Sequence, residues 1–163
     1  IGYGYFDKGK SGTFKHIHCY LNIPDSCSRD SLFQAEARRC KNIIDKIKQY
    51  PKDRHFCIFD ELYSGTNPYE AISSAYSYLT HISKNKNVKF LLTTHFIRLC
   101  TLLENDETIV NKSMKTTIIN NDPDYSYKIT NGISKIKGGV CVLKQLNYPK
   151  ELIDTTSEVL DKL

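Results

Sequence analysis

Within these 163 residues no apolar run approaches the ~20 residues that a membrane-spanning helix needs, and no secretory-type leader pattern is present. A spanning helix is thereby excluded from this stretch, and the expectation is an intracellular protein without a membrane partner. There is no C-x-x-C pair among the six cysteines, at Cys19, Cys27, Cys40, Cys57, Cys100 and Cys141. Without that spacing, and with several of them on apolar faces, they read as free core thiols in a reducing compartment rather than as disulfides or zinc ligands. Internal repeats and low-complexity tracts are also lacking, so neither a repeat array nor a disordered tail accounts for the chain. Charge of one sign is not concentrated: the net +5 is modest and the lysines are scattered. That balance suits acidic partners such as nucleotides or DNA without pointing at either. What is present is ordinary for a folded domain with a real core, 40% hydrophobic and 25% charged residues.

The most informative stretch is Phe56-Cys57-Ile58-Phe59-Asp60-Glu61, followed by Leu62-Tyr63-Ser64-Gly65-Thr66-Asn67-Pro68. An apolar run of strand length that ends in two carboxylates, then a turn and a helix start, is how a buried parallel strand delivers acids to the rim of an α/β sheet. This is the Walker B layout. Successive strand side chains point to opposite faces, so Asp60 and Glu61 divide the work: one can hold a hydrated Mg²⁺ while the other turns toward an attacking water. A core strand whose acids are merely solvated where it surfaces has the same local pattern, so the flanking segments decide.

Gly4 through Ser11 match G-x-x-x-x-G-K-S, the phosphate-cradling pattern. A working phosphate loop needs a buried strand before it and a helix after it. Only three residues precede Gly4, and Ser11-Gly12-Thr13 leads into strand-like Phe14 to Cys19, so the stretch, Lys10 included, reads as a lysine-rich surface loop. His16 and His18 fall on one face of that strand with no accompanying ligand, which gives little reason to assign a metal site. A turn-rich loop from Asn22 to Asp30 then feeds a helix with Phe33, Ala37, Cys40, Ile44 and Ile47 on one stripe. Ser31 and Gln34 form a capping box, with Asp30 as the other candidate cap. Ser31 is thus either a cap alone or a hydroxyl beside free N–H groups and a partial positive charge, a place that suits a phosphate.

Beyond the central strand, Asn67 is a suitable N-cap, Pro68 suits the first helical turn and Glu70 stands at the third position. Ile72, Ala75, Tyr76 and Leu79 make the expected buried stripe of that helix. Val88 to Thr94 forms a second apolar strand ending in His95, so the two strands make a β-α-β unit with a right-handed crossover. Their carboxyl ends lie on one edge, which brings Asp60, Glu61 and His95 together. Lys115 to Asn120 and Tyr125 to Thr130 alternate around Asn121-Asp122-Pro123-Asp124, a hairpin with turn chemistry. A short helix from Val140 to Leu146 and a final helix from Pro149 come next, the latter with an apolar stripe of Leu152, Ile153, Thr156, Val159, Leu160 and Leu163. That stripe must be buried by its own domain or by a partner.

Four segments together resemble the ATPase domain of the MutS family, the ABC-type engine of DNA mismatch recognition proteins. Asp30-Ser31-Leu32-Phe33-Gln34-Ala35-Glu36 resembles its signature segment; Phe59-Asp60-Glu61-Leu62-Tyr63-Ser64-Gly65-Thr66-Asn67 with Tyr69-Glu70 resembles its Walker B and D-loop; Thr93-Thr94-His95-Phe96 resembles its switch-histidine segment. The stretch from Gly132 through Gly139 to Ile153 is similar to the closing helix-turn-helix of that family. The wording from Asp30 to Cys40 is most similar to the branch found in large DNA viruses and octocoral mitochondria. The family's Gly-Arg ahead of Gly-Thr is replaced by Tyr63-Ser64, so no arginine role carries over.

The resemblance implies an α/β fold, a P-loop NTPase with an ABC-ATPase-like sheet and flanking helices, in residues 1–131, and a C-terminal helix-turn-helix dimerisation region in 132–163. It implies ATP and Mg²⁺ as cofactors, Asp60 as the Mg²⁺ ligand, Glu61 and His95 as catalytic residues, and Ser31, Gly65, Thr66 and Asn67 with Asp60 as nucleotide-binding residues. The implied partners are a second subunit, identical or different, and mismatched duplex DNA bound by upstream domains. The segment Ile1 to Phe6 resembles the stretch just after the Walker A helix in that family, so the expectation is that the nucleotide-gripping lysine lies upstream and that these residues alone do not turn over ATP. Two competing readings are a non-catalytic dimerisation or scaffold module that kept the fold, and another ABC-type head from chromosome maintenance or repair.

Overall fold

The computed structural model describes residues 13–21, 31–119, 122–134, 136 and 138–162. The phosphate-loop-like stretch from Gly4 to Ser11, the alternative cap Asp30, Cys27 and Leu163 lie outside the described residues. The chain is mixed α/β and divides into two compact units, residues 1–109 and 110–163.

In the first unit three short strands, β1 (His16–Tyr20), β2 (His55–Asp60) and β3 (Val88–Thr93), form a parallel sheet in the order β1-β2-β3. Parallel neighbours need crossover connections; helix α1 (Leu32–Gln49) lies between β1 and β2 in the chain, and α2 (Pro68–Ser83) between β2 and β3. The register sets Tyr20 beside Phe59 and Leu92, and Asp60 beside Thr93, so both strand ends reach the same edge. One face of the sheet packs into the core with α1, α2 and a short α3 (Ile97–Leu103); Phe59, Leu62, Leu79 and Leu99 are fully buried there.

Both long helices start where local chemistry dictates. Ser31 caps α1 through a complete capping box, its Oγ accepting from Gln34 N–H at 3.3 Å while Gln34 Oε1 accepts from Ser31 N–H at 2.9 Å. Asn67 caps α2, accepting from Glu70 N–H at 3.1 Å, with Pro68 in the first turn. Such caps are worth about 1 kcal/mol each. The buried stripes differ from the expected ones in detail. On α1 Ile43 is buried while Ile44 is half-buried, and the charged Glu36 joins Cys40 and Ile47 inside. On α2 Tyr78 takes the inward place expected of Tyr76: its ring stands edge-on to Phe59 at 5.6 Å and its hydroxyl donates to the Cys40 carbonyl at 3.3 Å, whereas Tyr76 is 39% exposed. Strand β3 is buried on one face only, with Leu91 63% exposed on the other, because no other described element of the first unit packs over that side.

The second unit begins with an antiparallel ribbon of β4 (Lys112–Ile119) and β5 (Asp122–Asn131), bulged between Met114 and Thr116. Here the expected turn at Asn121 to Asp124 is corrected. Asp122, Pro123 and Asp124 pair with Ile119, Ile118 and Thr117 as strand residues, which a two-stranded ribbon permits because both of its strands are edges that tolerate proline. Helices α4 (Gly138–Gln145) and α5 (Lys150–Leu160) follow. Val140 is buried, but no residue of α5 is, and Leu152, Val159 and Leu160 stand exposed.

Candidate active site at the sheet edge

Where β2 and β3 end, three of the expected site residues converge. Asp60 closes β2, and its Oδ1 accepts a hydrogen bond from the Thr93 hydroxyl of the neighbouring strand. Glu61 continues the ladder with its N–H on the Thr93 carbonyl at 3.0 Å. Its backbone then turns left-handed, with φ of 50°. For a residue with a Cβ that conformation costs about 1–2 kcal/mol and persists only where surrounding contacts enforce it. The turn aims the side chain at β3: Glu61 Oε1 accepts from His95 Nδ1 at 3.0 Å. Both side chains remain more than half exposed, 52% for Glu61 and 59% for His95, so the pair faces solvent. His95 lies two residues ahead of α3 and is not its cap, a place held by Phe96, whose ring packs on the imidazole at 4.3 Å.

The turn after Glu61 carries Gly65, Thr66 and Asn67, and each is committed within the fold. A Cβ on Gly65 would stand 2.6 Å from Leu32 Cγ and 2.8 Å from Phe33 N, so only glycine lets the turn lie this close to the first turn of α1. The Thr66 hydroxyl donates to Glu70 Oε2 at 2.6 Å, and Asn67 caps α2. Tyr63 is left-handed as well, φ of 61°. Its ring is buried against Phe33 and Tyr78, and its N–H donates to the Tyr20 hydroxyl at 3.3 Å. Ser31, at the exposed start of α1, makes no hydrogen bond to Asp60, Glu61 or His95 among the described residues. The structure therefore groups Asp60, Glu61 and His95 on the edge, and sets Ser31 apart on the helix against which Gly65 packs.

One residue of this region was given no role by its sequence pattern. Glu36 is 2% exposed and accepts from Ser64 N–H at 3.1 Å, Ser64 Oγ at 3.0 Å and Gly65 N–H at 3.0 Å. The available signal was a charge on the apolar stripe, three residues after Phe33 and four before Cys40.

Electrostatics exclude a thiol nucleophile among the buried cysteines. Burial pushes Cys40 up to about 11 and Cys57 up to about 12, so both stay protonated near neutrality. None of the five described cysteines is in a disulfide; Cys40 and Cys57 lie in the core as expected, whereas Cys19, Cys100 and Cys141 are half-buried. The histidine pair of β1 forms part of a stack at the opposite end of the sheet. Fully buried His55 donates from Nε2 to the Tyr50 carbonyl at 2.9 Å, which leaves its Nδ1 to accept from His18 Nε2 at 3.0 Å, and His16 meets Asp53 at 3.1 Å. Those ring nitrogens are spent on protein partners. Among the described residues no three His, Cys, Asp or Glu side chains converge as a metal-ligand group, and no helix is long and apolar enough to cross a membrane.

With this geometry in view, comparison with known proteins is specific. Residues 6–163 match the family model described as MutS domain V. The chain is 28% identical over 138 residues to the DNA mismatch repair protein MutS of Macrococcus caseolyticus, covering 85% of this chain and 16% of that protein. It is 27% identical over 160 residues to the protein of the same description from Phocaeicola vulgatus, covering 96% of this chain and 18% of that protein. Against that of Finegoldia magna it is 27% identical over 134 residues, 82% of this chain and 15% of that protein. The chain thus spans less than a fifth of the length of these curated relatives.

Proposed function

The chain belongs to the MutS family through its domain V, and from that premise we propose that it supplies the hydrolytic edge of an ABC-type ATPase that works as a dimer and serves DNA mismatch repair. On this reading the three-stranded sheet is part of a P-loop NTPase sheet, residues 1–131 form the ATPase core and 132–163 a helix-turn-helix dimerisation region. DNA is bound by other domains of the complete protein. Its compartment on this reading is a reducing one, which cysteines outside disulfides suit.

The observation that carries the proposal is the Glu61–His95 contact beside Asp60, formed by two residues 34 apart in sequence at the ends of adjacent parallel strands. Asp60 offers a hard, exposed carboxylate oriented by the Thr93 hydroxyl, a donor that fits Mg²⁺, which takes one or two carboxylates and keeps waters and substrate phosphates as its other ligands. When bound, the ion neutralises charge on the phosphates. Glu61, solvent-facing and held left-handed, orients the attacking water. The Glu61 carboxylate in turn fixes the His95 ring through Nδ1, and Nε2 would be the atom that meets the terminal phosphate of a bound nucleotide. Gly65, Thr66 and Asn67 shape the turn that would lie beside the nucleotide, and the exposed Ser31 hydroxyl would reach the nucleotide of the opposite subunit from the positive end of the α1 dipole, which favours an anion.

Substituting Glu61→Gln in the complete protein tests this. A carboxylate that acts mainly in the transition state leaves ground-state binding intact. ATP affinity should therefore stay within about twofold while turnover drops about 10²-fold or more. Asp60→Asn should instead weaken Mg²⁺-dependent binding. Unchanged hydrolysis by Glu61→Gln would show that the edge is not the hydrolytic site.

A further inference from the structure

A carboxylate buried as deeply as Glu36 costs several kcal/mol unless its oxygens are hydrogen-bonded. Three donors come from one place, the turn between the acidic edge and α2, and the Tyr20 hydroxyl, which itself accepts the N–H of Tyr63 in that turn, also hydrogen-bonds the carboxylate. Oε1 takes the Ser64 N–H and hydroxyl, and Oε2 takes the Gly65 N–H. In exchange, two consecutive backbone N–H groups of the turn find partners on α1. Two further attachments bind the same turn to the same helix. Gly65 lies against Leu32 and Phe33 with no room for a Cβ, and the buried Tyr63 ring packs on Phe33 at 5.7 Å. Ser31, the N-cap of α1, directly precedes Leu32.

We infer that Glu36 is a positioning residue: it clamps the Ser64–Gly65 turn to α1, so that the helix end bearing Ser31 and the turn bearing Gly65, Thr66 and Asn67 move as one body. Both Glu36 oxygens accept hydrogen bonds from the turn. Glu36 acts by fixing the distance between a residue directed at one nucleotide and residues directed at another. Its effect on turnover rests on the function proposed above; the clamp itself does not.

The test uses the complete protein with Glu36→Gln, which preserves volume but sets an amide N–H₂ against at least one of the turn's donors. Loss of a charge-assisted hydrogen bond should speed amide exchange of the peptide covering residues 61–67 about tenfold or more, with exchange of β2 and α2 unchanged. Misplacement of the turn should lower kcat for ATP, expressed per folded protein as titrated by ATP binding, up to about 10²-fold with KM within about twofold; normalising to binding sites removes the fall in apparent kcat that a mere loss of folded protein would give. Ser64→Ala, which removes only the hydroxyl bond, keeps the question answerable if Glu36→Gln folds poorly. It should move both readouts the same way by less, and the double variant should be no worse than Glu36→Gln alone. Unchanged exchange at 61–67 overturns the clamp, and so does an additive double variant. If Glu61→Gln shows that hydrolysis lies elsewhere, the exchange result still decides whether Glu36 clamps the turn.

Discussion

The two compact units solve the same burial problem unequally. Residues up to Ile109 enclose a core in which a sheet face and three helices bury Phe59, Leu62, Leu79 and Leu99 together. From Val110 onward, a twisted ribbon and two helices leave large apolar side chains in water, among them Tyr127 at 83%, Ile129 at 70% and Leu146 at 64% exposed, and α5 buries nothing. Exposed apolar surface of this kind marks an interaction site in a soluble protein. The contrast teaches that the edge bearing Asp60, Glu61 and His95 stands on a scaffold stabilised by its own packing, whereas the second unit leaves its apolar faces exposed.

Truncation in each unit should expose this difference, and the largest effect belongs to the first. Phe59→Ala removes a fully buried ring in contact with Tyr20, Tyr78 and Phe90. It should cost about 3–5 kcal/mol in urea unfolding of that unit. A loss below about 1 kcal/mol would show that the first unit is packed no better than the second.

A smaller effect should appear on acidification. His18 is held below the ordinary imidazole value of 6.5, by burial first and then by positive neighbours, His55 and His16 in the stack and Arg39 and Lys46 on α1. The unfolded chain therefore takes up this proton before the folded one does. The contribution to stability is complete above 6.5 and is lost as pH falls from there through the lowered folded value. His18→Gln, which can still donate to His55, should flatten the stability profile in that window. Asp53 acts in a separate window: hydrogen bonds from Lys15 and His16 hold it below the ordinary 3.8, so its contribution persists above that value and disappears only in stronger acid. A stability profile that is flat from pH 7 to 5 in the unmodified protein would contradict the assignment to the stack. The smallest effect is expected for Leu152→Ala on exposed α5. Monomer stability should change by no more than about 0.5 kcal/mol, while self-association measured by sedimentation should weaken. A larger loss in the monomer would mean that α5 is buried after all.

Much of the first unit was legible because its rules are local. The Ser31–Gln34 capping box, the Asn67-Pro68 helix start and the apolar runs ending at Asp60-Glu61 and His95 each depend on residues within a few positions of one another, and each is found in place, although the strand ahead of His95 is buried on one face only. Convergence of Glu61 and His95 followed from one topological rule, that the carboxyl ends of parallel neighbours share an edge. What escaped depended on tertiary contacts. Glu36 was visible as part of a motif, but its meaning arises only when the distant turn at Ser64-Gly65 closes on it. The choice between Tyr76 and Tyr78 was decided by the Phe59 ring, and Ile43 rather than Ile44 is the buried one of the adjacent pair on α1. Asp122-Pro123-Asp124 carries turn chemistry yet lies in a strand, because the register of the ribbon is set along its whole length. The roles of Ser31, Gly65, Thr66 and Asn67 toward nucleotide rest on resemblance, since within one chain each is spent on capping or turn geometry.

The central claim is that this unit carries halves of two different sites, Asp60, Glu61 and His95 for its own nucleotide and Ser31 for that of its neighbour. Its most direct test is the ATPase activity of two heterodimers of the complete protein. Placing Ser31→Arg and Glu61→Gln on the same subunit should silence both sites, one for want of the partner's serine and the other for want of its own carboxylate. Placing one change on each subunit should leave one intact site, about half of the unmodified activity if the sites are independent. The arginine is chosen because its bulk and charge block the approach of a helix end to phosphate, beyond the ~1 kcal/mol that loss of a cap alone would cost. Activity in the split arrangement and none in the joint one is the predicted result; activity confined to the joint arrangement would place Ser31 and Glu61 at the same nucleotide and contradict the account.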